Sequence, residues 1–257
     1  MTLMNIDNCQ LEVRRISGVD YLSPIIFLHE GLGSVSSWAQ QDRDWPTAVC
    51  AATGRAGIVY SRRGYGQSEA ISAGRNLLQP DYMHREAWEV LPALLAALKI
   101  NNPVLLGHSD GATIALLYAS RLKVSSCIAL APHVLIEDIA IKSITKAKET
   151  FESGNLRAQL AKHHLDVDGA FWQWNDVWLS QGFQSFNIRP HCQAITSPLL
   201  LIQGLNDAYG SMLQLDEIAL ATPHALQLRL DECGHSPHRD QPVKTLNAVQ
   251  VFLKNAI

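Results

Sequence analysis

Short, continuous apolar runs alternate along the chain with segments in which apolar residues recur at helical spacing. The runs occupy 24–29, 57–61, 103–108, 127–132, 198–204 and 226–231. Each is too short for a helix and too continuously apolar for a strand with one solvent face, so each is predicted to be a central strand covered on both faces. Helices are predicted over 81–99, 111–122 and 246–257. Strands alternating with helices predict an α/β fold around a mostly parallel sheet.

The segment 134–195 interrupts this alternation. It is mostly helical in pattern, contains the run FWQWNDVWLSQGFQSF, and lies between two predicted strands. A segment of this length between two strands is more typical of an inserted unit than of a linker. We therefore expect a core formed by 1–133 and 196–257, with 134–195 as a helical cap.

The composition predicts one large globular domain and weighs against several classes of partner. The chain has 257 residues, of which 47% are hydrophobic and 18% are charged, with a formal net charge of −3. Neither a nucleic acid nor an anionic membrane is an expected partner at this charge. We find no signal-peptide pattern and no apolar run near the ~20 residues of a membrane span, so we expect a cytoplasmic protein.

The five cysteines are odd in number, widely spread and never in a CxxC pair. This pattern is typical neither of a disulfide framework nor of a zinc site. We therefore expect reduced, mostly buried thiols and no structural metal.

A serine stands on a turn between two apolar elements. The residues GHSDG at 107–111 match G-x-S-x-G, directly after the strand PVLL and directly before the helical segment ATIALLYAS. This strand–turn–helix context is the one in which the motif exposes a nucleophile at the carboxyl edge of a sheet. The alternative is that Ser109 only caps the following helix.

A serine nucleophile needs a base, and the base needs an orienting acid. Asp207 lies in LNDAYG after one predicted strand, and His235 lies in ECGHSPHRD after the next, in the order serine, acid, histidine. Glu137 and Asp138 remain rival acids, and His238 is a rival base, although a surface or supporting role is more ordinary for it. The H-x-x-H pair lacks a nearby cluster of acidic or thiol ligands, so no metal site is predicted.

Acyl transfer also needs hydrogen-bond donors for the oxyanion, usually backbone N–H groups. The N–H of Asp110, directly after the serine, is one candidate. The other is the N–H of Gly31 in HEGLGS. The alternative interpretation is that this segment is only a glycine-rich turn without a catalytic role.

Over nearly its whole length the chain resembles the α/β-hydrolase fold superfamily, in its serine-nucleophile branch. The resemblance rests on LHEGLGSVSSW, SRRGYGQS, GHSDG, QGLNDAYG and CGHSPHRDQP, which occur in the family's order. It implies a triad of Ser109, Asp207 and His235 and no cofactor. The chain departs from the family pattern at Glu30, where glycine usually follows the histidine, and at Ser61, where aspartate is more frequent.

Several side chains are candidates for contact with a substrate. Trp172, Trp174 and Trp178 of the predicted cap either line a pocket or attach the cap helices to the core. Glu30 and His133 could border the same pocket, or could be held by structural hydrogen bonds.

Asp110 is an unusual neighbour for a nucleophile. A carboxylate there would repel an anionic substrate and attract an ammonium group. In this respect the chain resembles the biphenyl hydrolase-like branch, which cleaves amino-acid esters. Alternatively, Arg62 or Arg63 neutralises Asp110, or the carboxylate supports the helix N-terminus.

The sequence therefore predicts a hydrolase whose partner is a small-molecule substrate, and it leaves a homodimer open. The leading hypothesis is cleavage of a small to medium, largely apolar carboxylic ester through an acyl-enzyme on Ser109. One alternative is a carbon–carbon bond hydrolase of ring-fission diketone acids, which would need a cationic patch at Arg62 or Arg63. Another is a catalytically silent binding protein, although such proteins usually lose a triad residue.

Overall fold

The computed structural model describes residues 1–40, 43–71, 75 and 77–255. Its strands are β1 (Thr2–Ile6), β2 (Cys9–Ile16), β3 (Ile25–Leu28), β4 (Ala39–Gln40), β5 (Arg43–Asp44), β6 (Gly57–Tyr60), β7 (Val104–His108), β8 (Ser126–Leu130), β9 (Leu199–Gly204) and β10 (Leu226–Leu230). Eight of them form one sheet in the order β1-β2-β6-β3-β7-β8-β9-β10, while β4 and β5 pair separately. All neighbours from β6 to β10 are parallel, which confirms the predicted mostly parallel sheet.

Two antiparallel strands at the start of the chain were not predicted from the apolar runs. β1 and β2 form a hairpin whose turn residues, Asp7 and Asn8, have φ of 47° and 65°. Aspartate and asparagine tolerate these values better than most residues. β2 carries charged and polar residues between its apolar ones, so it lacks the continuous apolar run by which the central strands are recognised.

The prediction that 226–231 forms a central strand was wrong. β10 pairs with β9 on one side only and is the last strand of the sheet. Leu226 is 57% exposed, and only Leu230 of this strand is buried. An apolar run indicates that a strand forms. Whether that strand lies in the centre or at the edge of the sheet is decided by the order of the strands.

Eleven α-helices lie within the described part of the chain. They are α1 (Trp45–Thr53), α2 (Tyr82–Arg85), α3 (Leu91–Leu98), α4 (Asp110–Ala119), α5 (Asp138–Glu152), α6 (Asn155–Leu160), α7 (Val167–Trp178), α8 (Arg189–Cys192), α9 (Leu213–Ala221), α10 (Pro237–Asp240) and α11 (Pro242–Asn255). The helix predicted over 81–99 is divided: a π-helical segment, Glu86–Val90, separates α2 from α3. Pro92 is the second residue after this segment, and a proline has no N–H for the regular helical ladder.

The sheet separates two apolar clusters. Successive strand residues point to opposite faces, so Leu105 packs in one cluster and Leu106 in the other. The first cluster includes α4 and α7, whereas the second includes residues of α1 and α11. Helices on both faces bury the sheet and leave the carboxyl ends of its strands available for a site.

The segment 134–195 contributes α5 to α8 between β8 and β9. Phe151 of α5 stacks on Phe171 of α7 with ring centroids 3.8 Å apart, which joins the two longest helices of this segment. Its division from the core as a separate cap stays a prediction. In the described ranges, no helix combines the length and the apolar character that crossing a membrane requires.

Candidate active site

Ser109 occupies a sharp turn between β7 and α4. Its φ of 54° and ψ of −119° lie outside the regions that residues other than glycine favour. The turn also needs close backbone approach, because a Cβ at Gly111 would overlap the carbonyl oxygen of Leu28 and one at Gly107 would overlap that of Gly111. This strained, tightly packed turn holds the Ser109 hydroxyl at the carboxyl edge of the sheet.

The structure brings Ser109, His235 and Asp207 together. Nε2 of His235 lies 2.9 Å from Oγ of Ser109, and Nδ1 lies 2.9 and 2.8 Å from Oδ1 and Oδ2 of Asp207. An ionised carboxylate only accepts hydrogen bonds, so Nδ1 carries the proton in the neutral ring and Nε2 is left to accept from the serine hydroxyl. This is the geometry that activates a serine.

The environment of Asp207 favours its ionised form. Burial by itself would raise the pKa of this carboxyl, but the charge and hydrogen bond of His235 and the N–H of Tyr209, at 2.8 Å, outweigh it and lower the pKa. Gln203 Nε2 also donates to Oδ2 at 3.1 Å. Asp207 is therefore held as an acceptor that can orient the imidazole.

The rival residues have other contacts. Glu137 accepts hydrogen bonds from the Ser211 N–H and hydroxyl and from Gln214 Nε2, at 3.0, 2.6 and 2.6 Å. Asp138 is the first residue of α5. His238 is buried, not on the surface, and its ring lies 5.0 Å from that of Trp38. His235 is the histidine that reaches Ser109.

The backbone N–H groups of both oxyanion candidates are without an acceptor in the described part of the protein. Within the described chain, neither the N–H of Gly31 nor that of Asp110 donates to a protein acceptor. Asp110 is the first residue of α4, where N–H groups have no partner inside the helix. The indole of Trp174 covers Gly31 so closely that a Cβ there would overlap its Nε1.

Glu30, the first departure from the family pattern, belongs to a polar network beneath His235. Its Oε1 accepts from Arg239 Nη2 at 2.9 Å, and its Oε2 lies 3.4 Å from His108 Nδ1. His108 Nε2 donates to the backbone carbonyl of His235 at 2.7 Å. Burial opposes ionisation of Glu30, but Arg239 and His108 lower its pKa well below the ordinary range. The network connects the turn at Gly31 to the loop of His235.

His108 and Arg239 were not identified from the sequence. His108 stands at the variable position of the G-x-S-x-G motif, and Arg239 follows the histidine loop. The one available signal was that each residue lies beside a recognised motif. Nothing in the local sequence pattern indicates that Glu30, more than 75 residues from His108, lies next to it.

The carboxylate of Asp110 is buried, and one of its oxygens, Oδ2, has partners within the protein, whereas Oδ1 has none among the described residues. Oδ2 accepts a hydrogen bond of 2.6 Å from the Tyr82 hydroxyl, which in turn accepts from Trp178 Nε1 at 3.0 Å. Arg62 Nη2 lies 3.9 Å from the same oxygen. Burial raises the pKa of Asp110, and Arg62 and Tyr82 oppose this shift without cancelling it. Of the two sequence hypotheses, these contacts favour neutralisation by Arg62 over a free charge facing a substrate.

Arg62 and Arg63 have different environments. Arg62 is buried and donates to the carbonyl oxygens of His29 and Glu30 at 2.6 and 3.0 Å. Arg63 forms an exposed ion pair with Glu69 at 2.9 Å. The second departure, Ser61, donates to Glu12 at 2.7 Å. Neither arginine offers an unpaired guanidinium beside Ser109.

A cavity of about 190 Å³ opens at Ser109. It is lined by Glu30, Gly31, Leu32, His108, Ser109, Asp110, His133, Ile144, Trp174, Trp178, Tyr209, His235, Ser236 and Arg239. Of the candidate substrate contacts, Trp172 alone is not part of this wall. Trp172 packs between Phe151 and Phe171 on one side and the guanidinium of Arg75, 3.8 Å from the ring centroid, on the other. It therefore joins helices of the 134–195 segment.

His133 stands in the cavity wall as a neutral ring. It is 2% exposed, its ring centroid lies 5.5 Å from that of His235, and it makes an edge contact with Trp178 at 5.0 Å. Burial, and next the charge of His235, lower the pKa of His133 to about 3. The residues with assigned structure contain no group of three or more histidine, cysteine, aspartate or glutamate side chains suited to a metal ion.

Comparison with known proteins agrees with this architecture. Residues 25–249 match a family model described as the alpha/beta hydrolase family. The mouse (Mus musculus) sn-1-specific diacylglycerol lipase ABHD11 is 24% identical over 275 residues, which cover 95% of this chain and 85% of the mouse protein.

Solved structures share the fold at low sequence identity. The enol-lactonase from Burkholderia xenovorans LB400 superposes with a TM-score of 0.75 at 18% identity, covering 98% of this chain and all of that one. A structure from work on carboxylesterases of the thaumarchaeon Nitrososphaera gargenis superposes with a TM-score of 0.74 at 18% identity, covering 96% and 95% of the two chains. Since the family model spans most of the sequence, the chain belongs to the alpha/beta hydrolase family of hydrolytic enzymes.

Proposed function

We propose that this protein is a serine hydrolase that cleaves carboxylic esters through an acyl-enzyme on Ser109. The observation that carries the proposal is the continuous hydrogen-bonded chain from Ser109 Oγ through His235 to Asp207, with spacings of 2.9 and 2.8 Å. This chain ends at the mouth of a cavity, where a substrate carbonyl can reach the hydroxyl.

In the first half of the reaction, Ser109 Oγ attacks the ester carbonyl while His235 Nε2 takes the hydroxyl proton. The carbonyl oxygen becomes an oxyanion, which the N–H groups of Gly31 and Asp110 stabilise. The carbon–oxygen bond to the alcohol then breaks, and His235 returns the proton to the leaving alcohol.

In the second half, a water molecule attacks the acyl carbon and gives a proton to His235. The bond to Ser109 Oγ breaks, the proton passes to the serine, and the carboxylic acid leaves. Asp207 orients the ring and stabilises its charged form in both halves, without taking the proton itself.

The size and lining of the cavity favour a small or medium substrate. Its volume is about 190 Å³, and Leu32, Ile144, Trp178 and Tyr209 contribute apolar or aromatic surface. We also assign 134–195 the role of a cap, because α7 of this segment supplies Trp174 and Trp178 to the wall beside Ser109. The printed names of the mouse lipase and the archaeal carboxylesterases agree with ester hydrolysis.

The alternatives have less support. A ring-fission diketone acid carries a carboxylate, yet Arg62 is bound to backbone carbonyls and Arg63 pairs with Glu69 away from the cavity. A silent binding protein has no need for the complete hydrogen-bonded chain from Ser109 to Asp207.

Covalent labelling tests the proposal directly. We expect a fluorophosphonate probe to modify the wild-type protein at Ser109, and chromogenic esters of short and medium acids to be hydrolysed. Ser109→Ala should abolish labelling and lower kcat by several powers of ten, since triad losses have effects of that size. Ser153→Ala, at an exposed serine, is the matched control and should label like the wild type. Hydrolysis by Ser109→Ala within about tenfold of the wild type would overturn the assignment.

A further inference from the structure

Two polar ring groups in the cavity wall have no protein partner. Trp174 is 6% exposed and His133 is 2% exposed, and both line the cavity at Ser109. In the described part of the chain, His133 Nδ1 is buried without a partner, and neither His133 Nε2 nor Trp174 Nε1 forms a hydrogen bond within the protein. The neighbouring Trp178 differs, because its Nε1 donates to the Tyr82 hydroxyl.

Unpaired polar groups at such low exposure need an explanation. Buried tryptophan N–H groups usually find an acceptor, and the great majority of buried polar side-chain atoms in proteins are hydrogen-bonded. The N–H of Trp174 can only donate, whereas a neutral imidazole donates through one nitrogen and accepts through the other. A ligand oxygen that accepts from Trp174 or His133 would satisfy these groups.

The positions of the two rings connect them to the reaction centre. Trp174 Nε1 stands over Gly31, whose N–H we assign to the oxyanion site. His133 lies beside His235 on one side and Trp178 on the other. Trp174 and Trp178 are four residues apart on α7 and therefore share one face of that helix. All three rings line the cavity that opens at Ser109.

The charges around this wall favour an uncharged ligand group. Arg239 donates through Nη2 to Glu30 and to the carbonyl oxygen of Ser37, so its charge is paired with Glu30, whereas its Nε has no partner in the described ranges. Asp110 is paired with Tyr82 and lies near Arg62. The charged groups of the wall therefore already lie near opposite charges, Glu30 and Arg239 at 2.9 Å and Asp110 and Arg62 at 3.9 Å, although Asp110 Oδ1 accepts no hydrogen bond from a described residue. His133 itself is neutral at physiological pH, because burial and the charge of His235 lower its pKa.

We propose that Trp174 and His133 form a polar subsite for an uncharged oxygen substituent of the acyl group, so that the preferred substrates are esters of oxo or hydroxy acids. This inference rests on the serine-esterase function proposed above and names its substrate class. It differs from the amino-acid esters and the carboxylate-bearing diketones that the sequence left open.

A set of ethyl esters with acyl chains of similar length tests the inference. Ethyl pentanoate, ethyl 4-oxopentanoate, monoethyl succinate and ethyl 4-aminobutanoate offer an apolar, a keto, an anionic and a cationic substituent. Acid release in a pH-stat gives kcat/KM for each. We expect the keto ester to exceed ethyl pentanoate by at least about tenfold, because sites built to hydrogen-bond a substrate group discriminate strongly against analogues that lack it.

Variants then assign the preference to the two rings. Trp174→Phe and His133→Phe should each reduce the ratio of keto ester to plain ester toward one. Trp178→Phe is the matched control: its N–H is used inside the protein, so it should change both esters together and preserve the ratio.

The outcomes separate this inference from the function on which it rests. If no ester is hydrolysed by a protein that carries Ser109, the proposed function fails. If all esters are hydrolysed but the keto and plain esters differ by less than about twofold, the esterase function stands and the subsite is wrong. Faster hydrolysis of the anionic or cationic ester, or an unchanged ratio in both Trp174→Phe and His133→Phe, would also overturn the subsite.

Discussion

At the scale of single residues, the site depends on contacts between side chains that lie far apart in the chain. Asp207 and Glu137 are both carboxylates near strand ends, yet Asp207 contacts His235 and Glu137 is held by Ser211 and Gln214. The chemical roles follow from these contacts, because an imidazole needs its acceptor within hydrogen-bond distance to hold the productive tautomer.

The acid of the proposed triad can be tested with an isosteric amide. We expect Asp207→Asn to lower kcat by about 10³ to 10⁴ with little change in KM, because the amide removes the charge that orients and stabilises His235. Asp138→Asn is the matched control and should remain within about twofold of the wild type. Ester kinetics measure both variants, and a nearly intact kcat in Asp207→Asn would require another acid.

At the scale of elements, the turn between β7 and α4 is a demanding feature of the site. Ser109 has a strained backbone, and Gly107 and Gly111 allow backbone segments to pass at distances that a side chain would block. The surrounding sheet and helix maintain this conformation, since strain of this kind persists only where packing determines it.

Alanine substitutions at two glycines distinguish the cost of a steric overlap from the cost of an unfavourable backbone conformation. We expect Gly111→Ala to lower the free energy of unfolding by about 3 kcal/mol or more, because its Cβ would overlap a strand carbonyl. Gly154→Ala should cost only about 1 kcal/mol, since its φ of 93° disfavours a side chain but the surrounding space is open. Urea unfolding compares them, and equal losses would contradict the packing argument.

At the scale of the whole molecule, the ion pair of Glu30 and Arg239 connects an early segment of the chain to a late one. Arg239 in α10 reaches Glu30 after β3 and also the carbonyl oxygen of Ser37. The Glu30 carboxylate is ionised in the folded protein, with a pKa well below its ordinary value. Its contribution to stability is therefore present above the ordinary glutamate pKa and is lost as the pH falls toward the lowered one.

Acid unfolding tests this connection. Between pH 7 and about 3.5, we expect the wild type to lose about 1 kcal/mol more unfolding free energy than Glu30→Gln, which has no carboxylate to protonate. Glu89→Gln removes an exposed partner of Arg85 and should follow the wild type. Urea titrations at several pH values measure the slopes; parallel curves for the wild type and Glu30→Gln would refute the prediction.

The sequence by itself determined most strands of the parallel part of the sheet and the identity of the main chemical groups. Hydrophobic runs located the central strands because burial on both faces requires apolar residues at every position. The GHSDG motif and the order of Asp207 and His235 were recognisable because they meet local requirements. A tight turn and loops at strand ends can each be identified from a short stretch of sequence.

Only the tertiary structure decided which groups meet. It placed β10 at the edge, paired Asp110 with Tyr82, positioned His108 and Arg239 around Glu30, and removed Trp172 from the cavity wall. These outcomes depend on strand order and on contacts across tens to hundreds of residues. Local patterns express the preference of a residue for burial or for a conformation, whereas its partner is set by the packing of distant segments.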